Sequence, residues 1–115
     1  METKEEVTER ALILSPDGRL DFSEAKAFEA TLSAAVDRAV AGGVGLIIDC
    51  AALEYVSSAG LRSFLVVARS ATKHSLAFHI CGLTTDVAEV FRVSGFEKII
   101  PPLPDRAAAA AALSA

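Results

Sequence analysis

The chain has 115 residues, 52% of them apolar, and a formal net charge of −4, proportions that suit one domain spanning residues 1–115 with a single core. No apolar stretch approaches the ~18–20 residues of a membrane-crossing helix, and the polar start Met1-Glu2-Thr3-Lys4-Glu5-Glu6 is unlike a signal peptide, so a cytoplasmic protein without membrane insertion is expected. No run of lysine and arginine supplies the basic footprint of a nucleic-acid binder, and an anionic lipid surface is an equally poor partner.

Residues Glu5 to Leu14 read as extended with a break around Arg10 and Ala11. Ser15-Pro16-Asp17-Gly18 then reads as a tight reversal or strand end, because proline fixes φ and glycine supplies freedom. A helix is expected after Asp21 or Ser23, with Asp21 and Glu24 at capping-box spacing and Phe28, Leu32, Ala35, Val36 and Ala39 on its buried face. Gly42-Gly43 stops it. Val44 to Cys50 is a short apolar strand, and Val56-Ser57-Ser58-Ala59-Gly60-Leu61 leads into a helix reaching about Lys73, with Arg62, Arg69 and Lys73 on its outer side. Leu76 to Cys81 alternates as a strand. Asp86 and Glu89 suggest a second cap for a helix closed by Ser94-Gly95, and Glu97 to Ile100 reads as a last brief strand. Pro101, Pro102 and Pro104 end it. Asp105 to Ala112 has high helix propensity, but alanines alone do not say whether that helix docks. Alternating elements predict an α/β fold: a mixed, partly parallel sheet of about five strands with about four packed helices.

Catalytic signatures find little support. A phosphate loop, HExxH, GxSxG and ligand-spaced histidine–carboxylate clusters are missing from the sequence, so no metal or cofactor is implied and a non-enzymatic role is expected. His74 near a helix end and His79 in a strand read as structural or solvent-facing. Cys50 and Cys81 read as buried thiols acting as small hydrophobes, with a reactive thiol or a bridge between neighbouring strands as alternatives. Asp21 and Asp49 could meet near one end of the sheet, though capping and loop hydrogen bonding are the simpler roles. The segment Leu53 to Leu61 is the informative one: a strand enters a helix through two hydroxyls and a glycine, and one serine should be the N-cap.

Four segments in order resemble the STAS domain and, within it, the bacterial anti-sigma factor antagonists: Gly18-Arg19-Leu20-Asp21, Val44 to Asp49, Leu53 to Leu61, and Val90-Phe91-Arg92-Val93-Ser94-Gly95-Phe96 with Ile99-Ile100. The resemblance implies a partner switch. Such antagonists bind an anti-sigma factor, commonly a serine kinase, which phosphorylates a serine at a helix start and so ends the contact; a phosphatase resets the protein. Matched through Gly60 and Leu61, the phosphorylated serine falls on Ser58, with Ser57 the secondary candidate. Ser57 stands where many members carry an acidic residue and Ala59 where they carry a serine. The implied partner-binding set is Asp21, Ser57, Ser58, Ala59, Gly60 and Arg62. Other STAS domains are interaction subunits of transporters or larger signalling complexes. An enzyme or ligand carrier using Asp21, Asp49 and the serines would need a deep pocket joining them.

Overall fold

Five strands build the sheet. The computed structural model describes residues 1–113. Its strands are β1 (Glu2–Val7), β2 (Ala11–Leu20), β3 (Gly45–Asp49), β4 (Leu53–Val56) and β5 (Phe78–Cys81). Its helices are α1 (Phe22–Gly42), α2 (Ser58–Lys73), α3 (Thr85–Val93) and α4 (Arg106–Leu113), with a 3-10 turn at Phe96–Lys98. The strand order is β1-β2-β3-β5, with β4 also on β2. The β1–β2 pair is antiparallel and the other three are parallel, giving the expected mixed sheet.

The long strand β2 organises the rest. Ala11–Leu14 pair with β3 and Gly18–Leu20 with β4, while β1 runs along the opposite edge. The reversal expected at Ser15 to Gly18 is therefore not a turn: β2 passes straight through it. Pro16 falls where the β3 ladder has ended and the β4 ladder has not begun, so it interrupts neither. Gly18, at φ +108°, accommodates the register shift of a bulge between Gly18 and Arg19.

Two further expectations are corrected. Glu97 to Ile100 is not a strand; Gly95 turns the chain at φ +79° into the 3-10 turn, which buries Phe96 and Ile100 and leaves Ile99 outside. The chain regains the sheet only at Leu103, through a bridge to Cys81. The cap of α3 is Thr84, whose hydroxyl oxygen accepts the Val87 N–H, and Asp86 sits inside the first turn, where a negative charge suits the helix dipole.

Strand alternation divides the core in two. Leu12, Leu14, Leu20, Leu46, Ile48 and Ile80 face α1, α2 and α3. On that side Phe28, Phe64, Phe91 and Phe96 pack edge-to-face, Phe64 having its ring centroid 5.5 Å from Phe28 and 5.6 Å from Phe91. Ala11, Ile13, Ile47 and Cys81 face the other way and are covered by Ala109 of α4, so the alanine-rich helix docks. Arg106 anchors it: its Nε donates to Asp49 Oδ2 at 2.5 Å and its terminal nitrogens reach Ser15 Oγ and Glu6 Oε1. Gly45 makes room beneath α4, since a Cβ there would lie 2.5 Å from Leu113 Cδ2.

Candidate functional site

The parallel pairing of β2 with β4 brings two helix starts together. Leu20 pairs with Val56 at the ends of these strands, and each strand runs directly into a helix. The Ser57 N–H donates to the Leu20 carbonyl at 2.9 Å and closes the ladder. Both starts are capped by side chains. Asp21 accepts the Glu24 N–H at 3.1 Å and the Ser23 hydroxyl at 2.7 Å, and these bonds, led by the Ser23 hydroxyl, hold its carboxyl below the usual carboxylate range. Only half of the capping box forms, because the Glu24 carboxylate turns to the Met1 amino group.

At α2 the two serines divide the work. Ser57 is the N-cap: its Oγ accepts the Gly60 N–H at 3.1 Å and its carbonyl accepts the Leu61 N–H at 2.9 Å. A cap of this kind is worth ~1 kcal/mol. Ser58 is the first residue of the helix, exposed, and its hydroxyl makes no hydrogen bond among the described residues. Ala59 is half-buried and Arg62 exposed one turn after Ser58.

Gly60 contributes packing, not surface. It is buried against β2, and a Cβ would lie 2.7 Å from Leu20 Cγ and 3.0 Å from Val56 Cγ2. Leu20 is fully buried, so it has little room to yield. Gly60→Ala is therefore expected to lower stability by roughly 1–3 kcal/mol through overpacking. Urea unfolding checks this, and an unchanged midpoint would contradict it.

Several contributors went unassigned at the sequence level. Ser63 is buried on α2, and its hydroxyl donates to the Ala25 carbonyl of α1 at 3.0 Å, tying the helices together. The Arg19 guanidinium lies 4.3 Å from the centre of the Tyr55 ring, beside the junction. Tyr55 is 39% and Phe22 82% exposed, so the helix starts carry aromatic surface of the kind enriched at protein interfaces. Arg19 and Tyr55 lie in two of the four resemblance segments, but only the β2–β4 ladder shows that they meet.

Asp49 does not join Asp21. It binds Arg106 and accepts the Ala51 N–H at 3.0 Å, beside Ser15, well before Asp21 along the β2 direction. Both cysteines are free and buried, Cys50 in the helix-covered core and Cys81 on the opposite face beneath α4, so they do not bridge. Burial pushes both thiol pKa values up, which keeps them protonated and unreactive. His74 closes α2, its Nδ1 2.9 Å from the Ser70 carbonyl, and partial burial lowers the His79 pKa. Among the described residues no group of three or more His, Cys, Asp or Glu could hold a metal ion, and no helix is long and apolar enough to cross a membrane.

The family model of the STAS domain matches residues 2–110, and the chain belongs to that family. Over 101 residues it is 40% identical to BtrV of Bordetella bronchiseptica, named as a candidate anti-sigma factor antagonist, a match covering 88% of this chain and 84% of that protein. The fold matches the crystal structure of an anti-sigma factor antagonist from Mycobacterium paratuberculosis with a TM-score of 0.87 at 23% identity, covering 99% and 94% of the two chains. It matches the phosphorylated form of the Bacillus cell fate determinant SpoIIAA with a TM-score of 0.65 at 20% identity, covering 88% and 90%. At these identities the two structures establish the fold.

Proposed function

We propose that this chain is a cytoplasmic anti-sigma factor antagonist, that it binds an anti-sigma factor of the serine-kinase type through the start of α2, and that phosphorylation of Ser58 ends the contact. A serine phosphatase would restore it. The protein then works by binding, with Asp21, Ser57, Ala59 and Gly60 shaping the docking edge and Ser58 and Arg62 on its surface.

The observation that carries this reading is the different engagement of the two serines. A kinase needs a hydroxyl it can reach and reorient. Ser57 is half-buried and its oxygen is held by the Gly60 N–H, whereas Ser58 stands exposed at the head of the helix. A phosphate added there meets the positive end of the α2 dipole and no acidic residue in the first turn. The 40% identity to BtrV supports the antagonist role.

The test is incubation with the anti-sigma factor kinase of the same genome and ATP, followed by mass mapping. Phosphate is expected on Ser58 and on no other serine. Ser57→Ala should lower stability by ~1 kcal/mol through loss of the cap, yet still take up phosphate at Ser58. Phosphate on Ser57, or on neither serine, would overturn the switch.

A further inference from the structure

Within the acidic chain, α2 has the opposite character. Between Ser58 and Lys73, α2 contains Arg62, Arg69 and Lys73 and no Asp or Glu. With 3.6 residues per turn, Ser58, Arg62, Arg69 and Lys73 fall within an arc of about 60°. All four are exposed. Elsewhere Arg38, Arg92 and Arg106 each bind a carboxylate of the chain itself. Among the described residues, no ion pair engages Arg62, Arg69 or Lys73.

At Arg69 this stripe borders a groove of about 520 Å³ between α2, β5 and the segment after α3. Leu65, Ala68, Phe78, Ile99 and Pro101 line it, Arg69 stands on its rim, and no carboxylate is among its walls. Ile99 is 59% exposed at its edge. Arg69 thus belongs to both features, which makes stripe and groove one continuous surface with Ser58 at its head. Apolar ground with arginine is the composition of interface cores, and a groove that meets a cationic stripe at Arg69 and has no carboxylate in its walls selects an anionic occupant.

We infer that the outer stripe of α2 and the groove beside it dock an acidic, amphipathic segment of the protein partner, its carboxylates on Arg62 and Arg69 and its apolar side chains against Leu65 and Ile99. This rests on the reading that Ser58 faces the partner, and it gives that switch its electrostatic sign. Arg62 is four residues from Ser58, the spacing at which opposite charges meet on a helix. A phosphate on Ser58 takes Arg62 away from the partner and sets its own charge against the partner's carboxylates.

Two measurements on the full chain separate this inference from the switch itself. In an NMR titration with a synthetic glutamate–leucine peptide, shifts are expected at Arg62, Arg69, Phe78 and Ile99, and the affinity should fall about tenfold from low to physiological salt. Arg62→Glu with Arg69→Glu should abolish the response, while Lys26→Glu, exposed on α1, keeps it. Should the reversed pair fail to fold, Arg62→Gln with Arg69→Gln serves in its place. No response, an equal response to a lysine–leucine peptide, or an equal response to a DNA duplex without movement at Ile99 would overturn the inference. In the second measurement, binding to the kinase should weaken about tenfold or more in the Arg62→Glu, Arg69→Glu chain. If Ser58→Asp abolishes kinase binding while the arginine pair leaves it unchanged, the docking inference falls and the switch stands. If the peptide response is present but no kinase phosphorylates Ser58, the switch falls and the docking surface stands.

Discussion

A Ser58→Asp chain is expected to fold like the parent and to bind its anti-sigma factor two to three orders of magnitude more weakly. Folding is spared because the substitution falls on the first residue of α2, where no acidic side chain stands in the first turn and the dipole favours one. Such a placement contributes roughly 0.3–1 kcal/mol in favour of the folded state. The Ser57 cap and the buried Gly60 contact do not involve the Ser58 side chain and are untouched. At the interface the same charge loses its water and faces the partner's surface, and a penalty of ~3–4 kcal/mol corresponds to the stated loss of affinity. Ser58→Ala should bind like the parent and resist inactivation by kinase and ATP. Calorimetric titration of both variants against the anti-sigma factor, with their thermal melts recorded alongside, decides the matter. Equal affinities for the aspartate and alanine chains would refute the switch.

Phe64→Ala is expected to cost ~3–5 kcal/mol of stability, a large share of the ~5–15 kcal/mol that holds a domain together. Phe64 is fully buried, and its ring stands edge-to-face with Phe28 of α1, Phe91 of α3 and Phe96 of the 3-10 turn. Its removal leaves a cavity where three elements meet, and each would have to shift to fill it. The functional consequence follows from position: Phe64 fastens the helix whose first residue is Ser58. Urea unfolding should show a lower midpoint with an unchanged slope. A midpoint within experimental error of the parent would mean that the aromatic cluster is not what holds α2.

Much of the framework is legible in the sequence, wherever a local rule meets no competitor. Asp21 caps α1 and Gly43 ends it at φ +66°, because both roles depend on a few neighbouring backbone groups. The buried face of α1 is the one its periodicity marked, and Ile80 and Cys81 face opposite sides as alternation requires. Local rules failed where a distant segment supplied the deciding contact. Pro16 and Gly18 carry turn chemistry, yet Pro16 pairs with Thr3 of β1 and Gly18 with Leu53 of β4, and both stay extended. Glu97 to Ile100 has strand-like composition, yet Phe96 and Ile100 gain more by curling into the aromatic core than by pairing. Thr84 caps α3 partly because its hydroxyl also donates to the Leu53 carbonyl across the fold.

The candidate site divides along the same line. By itself the sequence determined that a strand enters a helix through Ser57 and Ser58, that Arg62, Arg69 and Lys73 share the outer face of that helix, and that the family pattern falls on Ser58. Spacing along the chain is sufficient for each of these. Only the tertiary structure decided which serine caps and which is exposed, since that depends on the Ser57 backbone completing the ladder to Leu20. It alone made Gly60 a packing residue against Leu20 and placed Tyr55 under Arg19. It also fixed α4 to the sheet through Arg106 and Asp49, an ion pair between residues far apart in sequence. Each of these contacts joins segments whose meeting is set by strand order, and strand order is a property of the packed sheet as a whole.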